Sequence, residues 1–130
     1  MHIARCECGG VELQIEGDLR KVVACHCSQC RKTSGHFWAA TAAPVDTITV
    51  KGEENLKWYE SSDFARRGFC SNCGASMIYH HQNAQHWAIA AGCIIGEVPP
   101  LVKHIFVADK GAYYDITDGL PQLSGSMQDG

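Results

Sequence analysis

The sequence predicts a mostly β domain of many short strands with one short helix. Two observations carry that expectation. Apolar and polar residues alternate in several short runs, and Gly, Pro, Asn or Asp punctuates them at close intervals. A third, helix punctuation at both ends of a single stretch (29–34), supplies the helix.

The elements follow in order. Val11, Leu13 and Ile15 alternate with Glu12, Gln14 and Glu16, which makes 10–16 a half-buried strand closed by the turn Gly17-Asp18. Val22 and Val23 mark 20–25 as a second strand. Ser28 is placed to cap a helix over 29–34 that Gly35 stops. The apolar, aromatic run 36–43 ends at Pro44, and the β-branched run 47–51 turns at 52–55. Strands are expected at 56–60 and 64–69, an extended segment at 75–80, a polar loop at 81–85 and a core strand at 86–91. Gly92 and Gly96 bracket Cys93-Ile94-Ile95, and Val98-Pro99-Pro100 is a connector, because paired prolines do not continue a central strand. A last short strand is expected at 104–107, then turns over 115–123.

With 130 residues and 45% hydrophobic content the chain supports one core, so a single domain is expected over 1–123 with a small, polar, flexible tail at 124–130. The formal net charge of −3 argues against a nucleic-acid partner. No apolar run approaches the roughly 18 residues that span a bilayer. Met1-His2-Ile3-Ala4-Arg5-Cys6 carries no apolar signal-like segment, so the reducing cytoplasm is the expected compartment.

Seven of the eight cysteines fall into three clusters: Cys6-x-Cys8, Cys25-x-Cys27-x-x-Cys30 and Cys70-x-x-Cys73. Disulfides are the rival reading of an even count, but a Cys-x-Cys pair closes a strained ring and the chain shows no oxidising context. Zinc takes four sulfur or imidazole ligands, and glycine-trailed turns such as Cys6-Glu7-Cys8-Gly9-Gly10 and Cys70-Ser71-Asn72-Cys73-Gly74 supply them in pairs. Cys6, Cys8, Cys70 and Cys73 therefore form a candidate closed Cys₄ site that ties the N-terminus to the middle of the chain. The bland alternative is two pairs of buried free thiols.

Cys25, Cys27 and Cys30 offer three ligands, the count of a catalytic zinc with one position open. Three alternatives stand beside it. His26 supplies the fourth ligand, although its flanking cysteines turn the ring away; Cys93 closes the site from afar; or Cys27 and Cys30 form a redox dithiol. Cys93 itself, beside Ile94 and Ile95, reads first as a small core hydrophobe. His80-His81 reads as a solvated loop end, and Trp38, Trp58 and Trp87 as core or wall. Arg31-Lys32 and Arg66-Arg67 read as solvated faces that can also meet the carboxylates of an anionic ligand.

Cys6-x-Cys8-Gly9, Cys25-His26-Cys27-Ser28-x-Cys30-Arg31-Lys32-x-Ser34-Gly35 and Phe69-Cys70-x-x-Cys73-Gly74, with the endings His104-Ile105-Phe106-Val107 and Asp118-Gly119-Leu120-Pro121-Gln122, resemble the glutathione-dependent formaldehyde-activating family. The domain is shared by centromere protein V. The likeness runs from about Cys6 to Leu123, with Ala112-Tyr113-Tyr114 standing where the family commonly has an Ala-Pro-Trp-like triplet. It implies a β-tent fold of stacked small antiparallel sheets, a structural zinc on Cys6, Cys8, Cys70 and Cys73, and a labile catalytic zinc on Cys25, Cys27 and Cys30. It also implies carbon–sulfur lyase chemistry on adducts of glutathione, or another small thiol, with a small aldehyde such as formaldehyde. The rival class is a zinc-stabilised ligand- or protein-binding module without chemistry.

Overall fold

The computed structural model describes residues 1–126. The fold is mostly β, with one α-helix among the described residues. Eleven strands form two sheets: β1 (His2–Arg5), β2 (Glu12–Ile15), β3 (Val22–Cys25), β4 (Trp38–Pro44), β5 (Ile48–Lys51), β6 (Leu56–Tyr59), β7 (Ala65–Cys70), β8 (Ser76–His81), β9 (His86–Ala90), β10 (Ile94–Ile95) and β11 (Leu101–Ile105). The four-stranded sheet runs β10-β1-β2-β5 and the seven-stranded sheet β11-β3-β4-β9-β8-β7-β6. All pairings are antiparallel except β3 with β11, which is parallel and carries a register shift between Leu101 and Lys103.

Period-two alternation decides the faces. In β2, Leu13 and Ile15 are fully buried while Glu12 and Gln14 lie on the open side. Those two side chains meet Val11, Met77, Ile78 and Ile89, also fully buried, so one core lies between the sheets. Each such aliphatic side chain contributes roughly 1.5–3 kcal/mol when removed from water. A smaller cluster of Cys30, Trp38, Ala40 and Ala90 sits under the helix.

The helix α1 (Ser28–Ser34) fills the connection from β3 to β4. Its cap is Cys27, one residue before the expected Ser28: the Cys27 sulfur accepts the Cys30 N–H. Gly35 ends it as expected, in the left-handed region at φ 89°, with its N–H bonded to the Arg31 carbonyl at 2.7 Å. Gly52 is the other glycine the fold requires. At φ 78° it lies so close to the Gly10 carbonyl that a Cβ would stand 1.9 Å from that oxygen.

Two strands lay outside the sequence-based expectation, β1 and β10, which pair with each other at Ile3–Ile95 and Ala4–Ile94. The last strand is Leu101–Ile105 rather than 104–107, because Phe106 turns out of the sheet at φ 54°. Of the tail expected to be flexible from Ser124, the Ser124 and Gly125 carbonyls accept N–H bonds from Ala108 and Phe106. Residues 127–130 lie outside the described residues. Among the described residues no helix is long and apolar enough to cross a membrane.

Candidate metal centres and the cavity beside them

Hairpin turns from both sheets build the first centre. The β1–β2 turn is closed by Cys6 N–H to the Val11 carbonyl and Gly9 N–H to the Cys6 carbonyl. The β7–β8 turn is closed by Gly74 N–H to the Cys70 carbonyl at 2.8 Å. Asn55 joins the two turns: its side chain donates to the Gly10 carbonyl at 3.1 Å and its carbonyl accepts the Ser71 N–H at 2.8 Å.

The four sulfurs of Cys6, Cys8, Cys70 and Cys73 lie within 4.8 Å of one another. Zinc–sulfur bonds of about 2.3 Å in a tetrahedron place sulfurs about 3.8 Å apart. The separations Cys6–Cys8 and Cys8–Cys70 are both 3.7 Å, so this donor set fits zinc in number, element and spacing. Backbone N–H groups of Val11 and Gly10 point at the Cys6 and Cys8 sulfurs, at 3.3 and 3.4 Å. The Cys73 thiol is lowered to about 6, first by a hydrogen bond from the Ala75 backbone. Against the Gly10 backbone N–H, the Cys6 thiol pushes Cys8 the other way, up to about 12, so the four sulfurs compete for protons until a cation lets them all ionise.

The second centre comes from one continuous segment. The end of β3 supplies Cys25, the turn supplies Cys27, and the first turn of α1 supplies Cys30; their sulfurs also lie within 4.8 Å of one another. Cys27 is lowered to about 2 because the Cys25 and Cys30 thiols bond to its sulfur, while Cys25 is pushed strongly upward by the same bond seen from its side. A divalent cation removes that competition by letting all three sulfurs ionise. The set thus fits a three-sulfur zinc site.

The alternatives of the sequence reading separate here. Cys93 lies in neither group of converging sulfurs; it packs as a half-buried hydrophobe between the two core clusters. His26 has both ring nitrogens engaged elsewhere, Nδ1 with the Tyr114 hydroxyl at 2.7 Å and Nε2 with His104 Nδ1 at 2.8 Å. His104 Nε2 in turn meets Asp118 Oδ2 at 2.8 Å. One proton arrangement satisfies the chain with both rings neutral: Tyr114 O–H donates to His26, His26 Nε2–H to His104, and His104 Nε2–H to the carboxylate. Burial, then the nearby His104, lowers His26 to about 4, which agrees with a neutral ring. All eight cysteines are free thiols.

A cavity of about 360 Å³ opens on the three-sulfur group. Cys25, Cys27 and Cys30 line it, and Trp38, Phe64, Tyr79 and Phe106 give aromatic walls. Arg67, only 4% exposed, lies in the wall with its guanidinium 4.9 Å from the Tyr79 ring centre and 5.5 Å from that of Trp38. Its Nε donates to Gln29 Oε1 and its Nη2 to the Cys30 sulfur at 3.3 Å. Arg66, its neighbour on β7, stacks instead on Trp58 at 3.9 Å. A wider depression around Pro44, His80 and His86 carries none of the thiols.

The structure thus brings together each cysteine cluster named from the sequence, places Trp38 in the cavity wall, and turns Arg67 inward rather than leaving it solvated. Sequence reasoning missed the Tyr114–His26–His104–Asp118 chain. Its members lie 78 and 88 residues from His26 or, for Asp118, 14 from His104, which no local spacing reveals. The available signals were a histidine held between two ligand-type cysteines and the family-like endings that contain His104 and Asp118.

A solved Rhodobacter sphaeroides protein superposes with a TM-score of 0.60 at 25% identity, covering 77% of this chain and 99% of that one. An uncharacterized lyase of Schizosaccharomyces pombe is 31% identical over 85 residues, 62% of this chain; the match spans 58% of that relative's length. The profile of the glutathione-dependent formaldehyde-activating enzyme matches residues 1–109, a range that holds all seven clustered cysteines, and the chain belongs to that family.

Proposed function

We propose that this chain is a zinc-dependent carbon–sulfur lyase acting on adducts of a small thiol, glutathione being the expected one, with a small aldehyde such as formaldehyde. In this reading Cys6, Cys8, Cys70 and Cys73 hold a structural zinc, and Cys25, Cys27 and Cys30 hold a labile catalytic one. The observation that carries it is the opening of the three-sulfur group onto a mostly apolar cavity with an arginine in its wall.

Zinc bound there would supply Lewis-acid polarisation and stabilise a ligand thiolate at neutral pH. The rest is the work of the chain. Cys25, Cys27 and Cys30 line the cavity, and the Arg67 cation balances negative charge at Cys30. Trp38, Phe64 and Tyr79 exclude water and hold two reactants together, which lowers the entropic cost of addition. In the forward direction the thiol loses its proton, its sulfur bonds to the carbonyl carbon, and the carbonyl oxygen takes up a proton, giving a hemithioacetal. The reverse breaks the carbon–sulfur bond. Free thiols are required throughout, which supports a reducing compartment such as the cytoplasm.

Thiols add to formaldehyde unaided, so the test is acceleration. Exchange NMR on glutathione–formaldehyde mixtures should show at least tenfold faster interconversion with zinc-loaded protein at catalytic concentration. An unchanged rate would leave a zinc-stabilised binding module.

A further inference from the structure

Arg67 is under-used by the protein itself. Nε and Nη2 are engaged with Gln29 and Cys30, but Nη1 is buried with no hydrogen-bond partner among the described residues. A buried cationic donor left without an acceptor is costly, so an acceptor is expected when the site is in use. The wall offers none of the usual kind. No aspartate or glutamate lines the cavity, and the carboxylates that hold a basic side chain among the described residues, Glu12 with Arg5 and Asp118 with His104, lie elsewhere. Arg20 adds a second cation to the same wall, its Nη2 on the Ala40 carbonyl at 3.0 Å.

The guanidinium is a rigid planar fork, so a group held by Nη1 sits next to the one held by Nη2, the Cys30 sulfur. The guanidinium lies 4.9 Å from the Tyr79 ring centre and 5.5 Å from that of Trp38, and its burial keeps it from water. Donors preset in a water-excluded site favour an acceptor that carries negative charge. We propose that Arg67 is an oxyanion-binding residue of this cavity. Nη2 holds the Cys30 sulfur, and Nη1 receives a negatively charged oxygen carried within three bonds of the ligand's sulfur. A hemithioacetal alkoxide places its oxygen at that distance, and so does a short carboxylate on a thiol. The inference rests on the cavity being the ligand site. It makes Arg67 the residue that selects anionic over neutral thiols.

Two nearly isosteric probes test it: mercaptoacetate, with its carboxylate, and 2-mercaptoethanol, neutral. Calorimetric titration of the zinc-loaded protein should give at least tenfold tighter binding of mercaptoacetate. In Arg67→Met brought to the same zinc content as the wild type, the ratio should fall below twofold, whatever the change in the absolute affinity of either thiol. Should Arg67→Met fail to fold or to load, Arg67→Lys, which keeps the charge and loses the fork, should lower the ratio at least threefold. Equal binding of both thiols to the wild type overturns the inference alone. So does a ratio that survives the substitutions, which assigns the preference to chelation at the metal. Binding of neither thiol removes the inference and the proposed function together.

Discussion

The two cysteine centres are made of the same atoms in opposite ways. Cys6, Cys8, Cys70 and Cys73 come from hairpin turns of two different sheets, with 61 residues between Cys8 and Cys70. Cys25, Cys27 and Cys30 come from six consecutive residues between one strand and one helix. Ions bound at the first close a long loop, so their binding energy is folding energy. Ions bound at the second close almost none, and the segment is already held by the β3 ladder, the helix and the His26 chain. The surroundings differ as well: backbone N–H groups reach the Cys6 and Cys8 sulfurs, while an arginine side chain reaches Cys30 and a cavity opens beside it. In the proposed reading, where ligands come from in the chain, rather than what they are, separates a staple from a workplace.

The comparison breaks first at Cys70→Ser. Removing one of four converging sulfurs should cost at least ~3 kcal/mol and leave a chain that melts broadly or not at all, read by urea or thermal unfolding. An unchanged midpoint would mean that the sheets hold together without this centre. Next comes Cys27→Ser. Glutathione–formaldehyde exchange should fall back to the unaided rate, a loss of tenfold or more and so about 1.4 kcal/mol or more in barrier, while the melting temperature moves only a few degrees. A collapse of stability equal to that of Cys70→Ser would erase the distinction. The smallest effect belongs to Tyr114→Phe. It strips the donor from buried His26 Nδ1 and should cost about 1–2 kcal/mol of stability. Zinc retention at the three-sulfur centre should weaken severalfold, and the four-sulfur centre should be untouched. Equal loss at both centres would show that the chain of rings supports the whole fold and not the segment 25–27.

Both groups of converging sulfurs were legible in the sequence because their cysteines come in short-range sets whose spacing suits zinc. Strands with full alternation, such as Leu13 and Ile15 in β2, were legible for the same local reason. His2–Arg5 lacked that signal and is a strand because β2 and β10 flank it on both sides. Pro99-Pro100 read as a connector and is one, but nothing in the sequence showed that the Pro100 carbonyl accepts the Val22 N–H and starts the parallel pairing of β11 with β3. In the site, Arg67 read as half of a solvated Arg-Arg pair. Strand alternation sends Arg66 to Trp58 and Arg67 to the cavity, but only the packing of β7 beside the helix shows that the inward face meets Cys30. Tyr114, His104 and Asp118 converge on His26 through the parallel edge strand and the segment after it, which no pattern in the sequence encodes.

Staged removal of metal tests the inequality of the two centres most directly. Zinc-loaded protein is titrated with a chelator while released zinc and the far-ultraviolet dichroism are followed together. One zinc per chain should leave early with the β signal intact, and the second should leave only as that signal is lost. Simultaneous release of both ions with unfolding, or release of both with no loss of structure, would contradict the division into one structural and one labile centre.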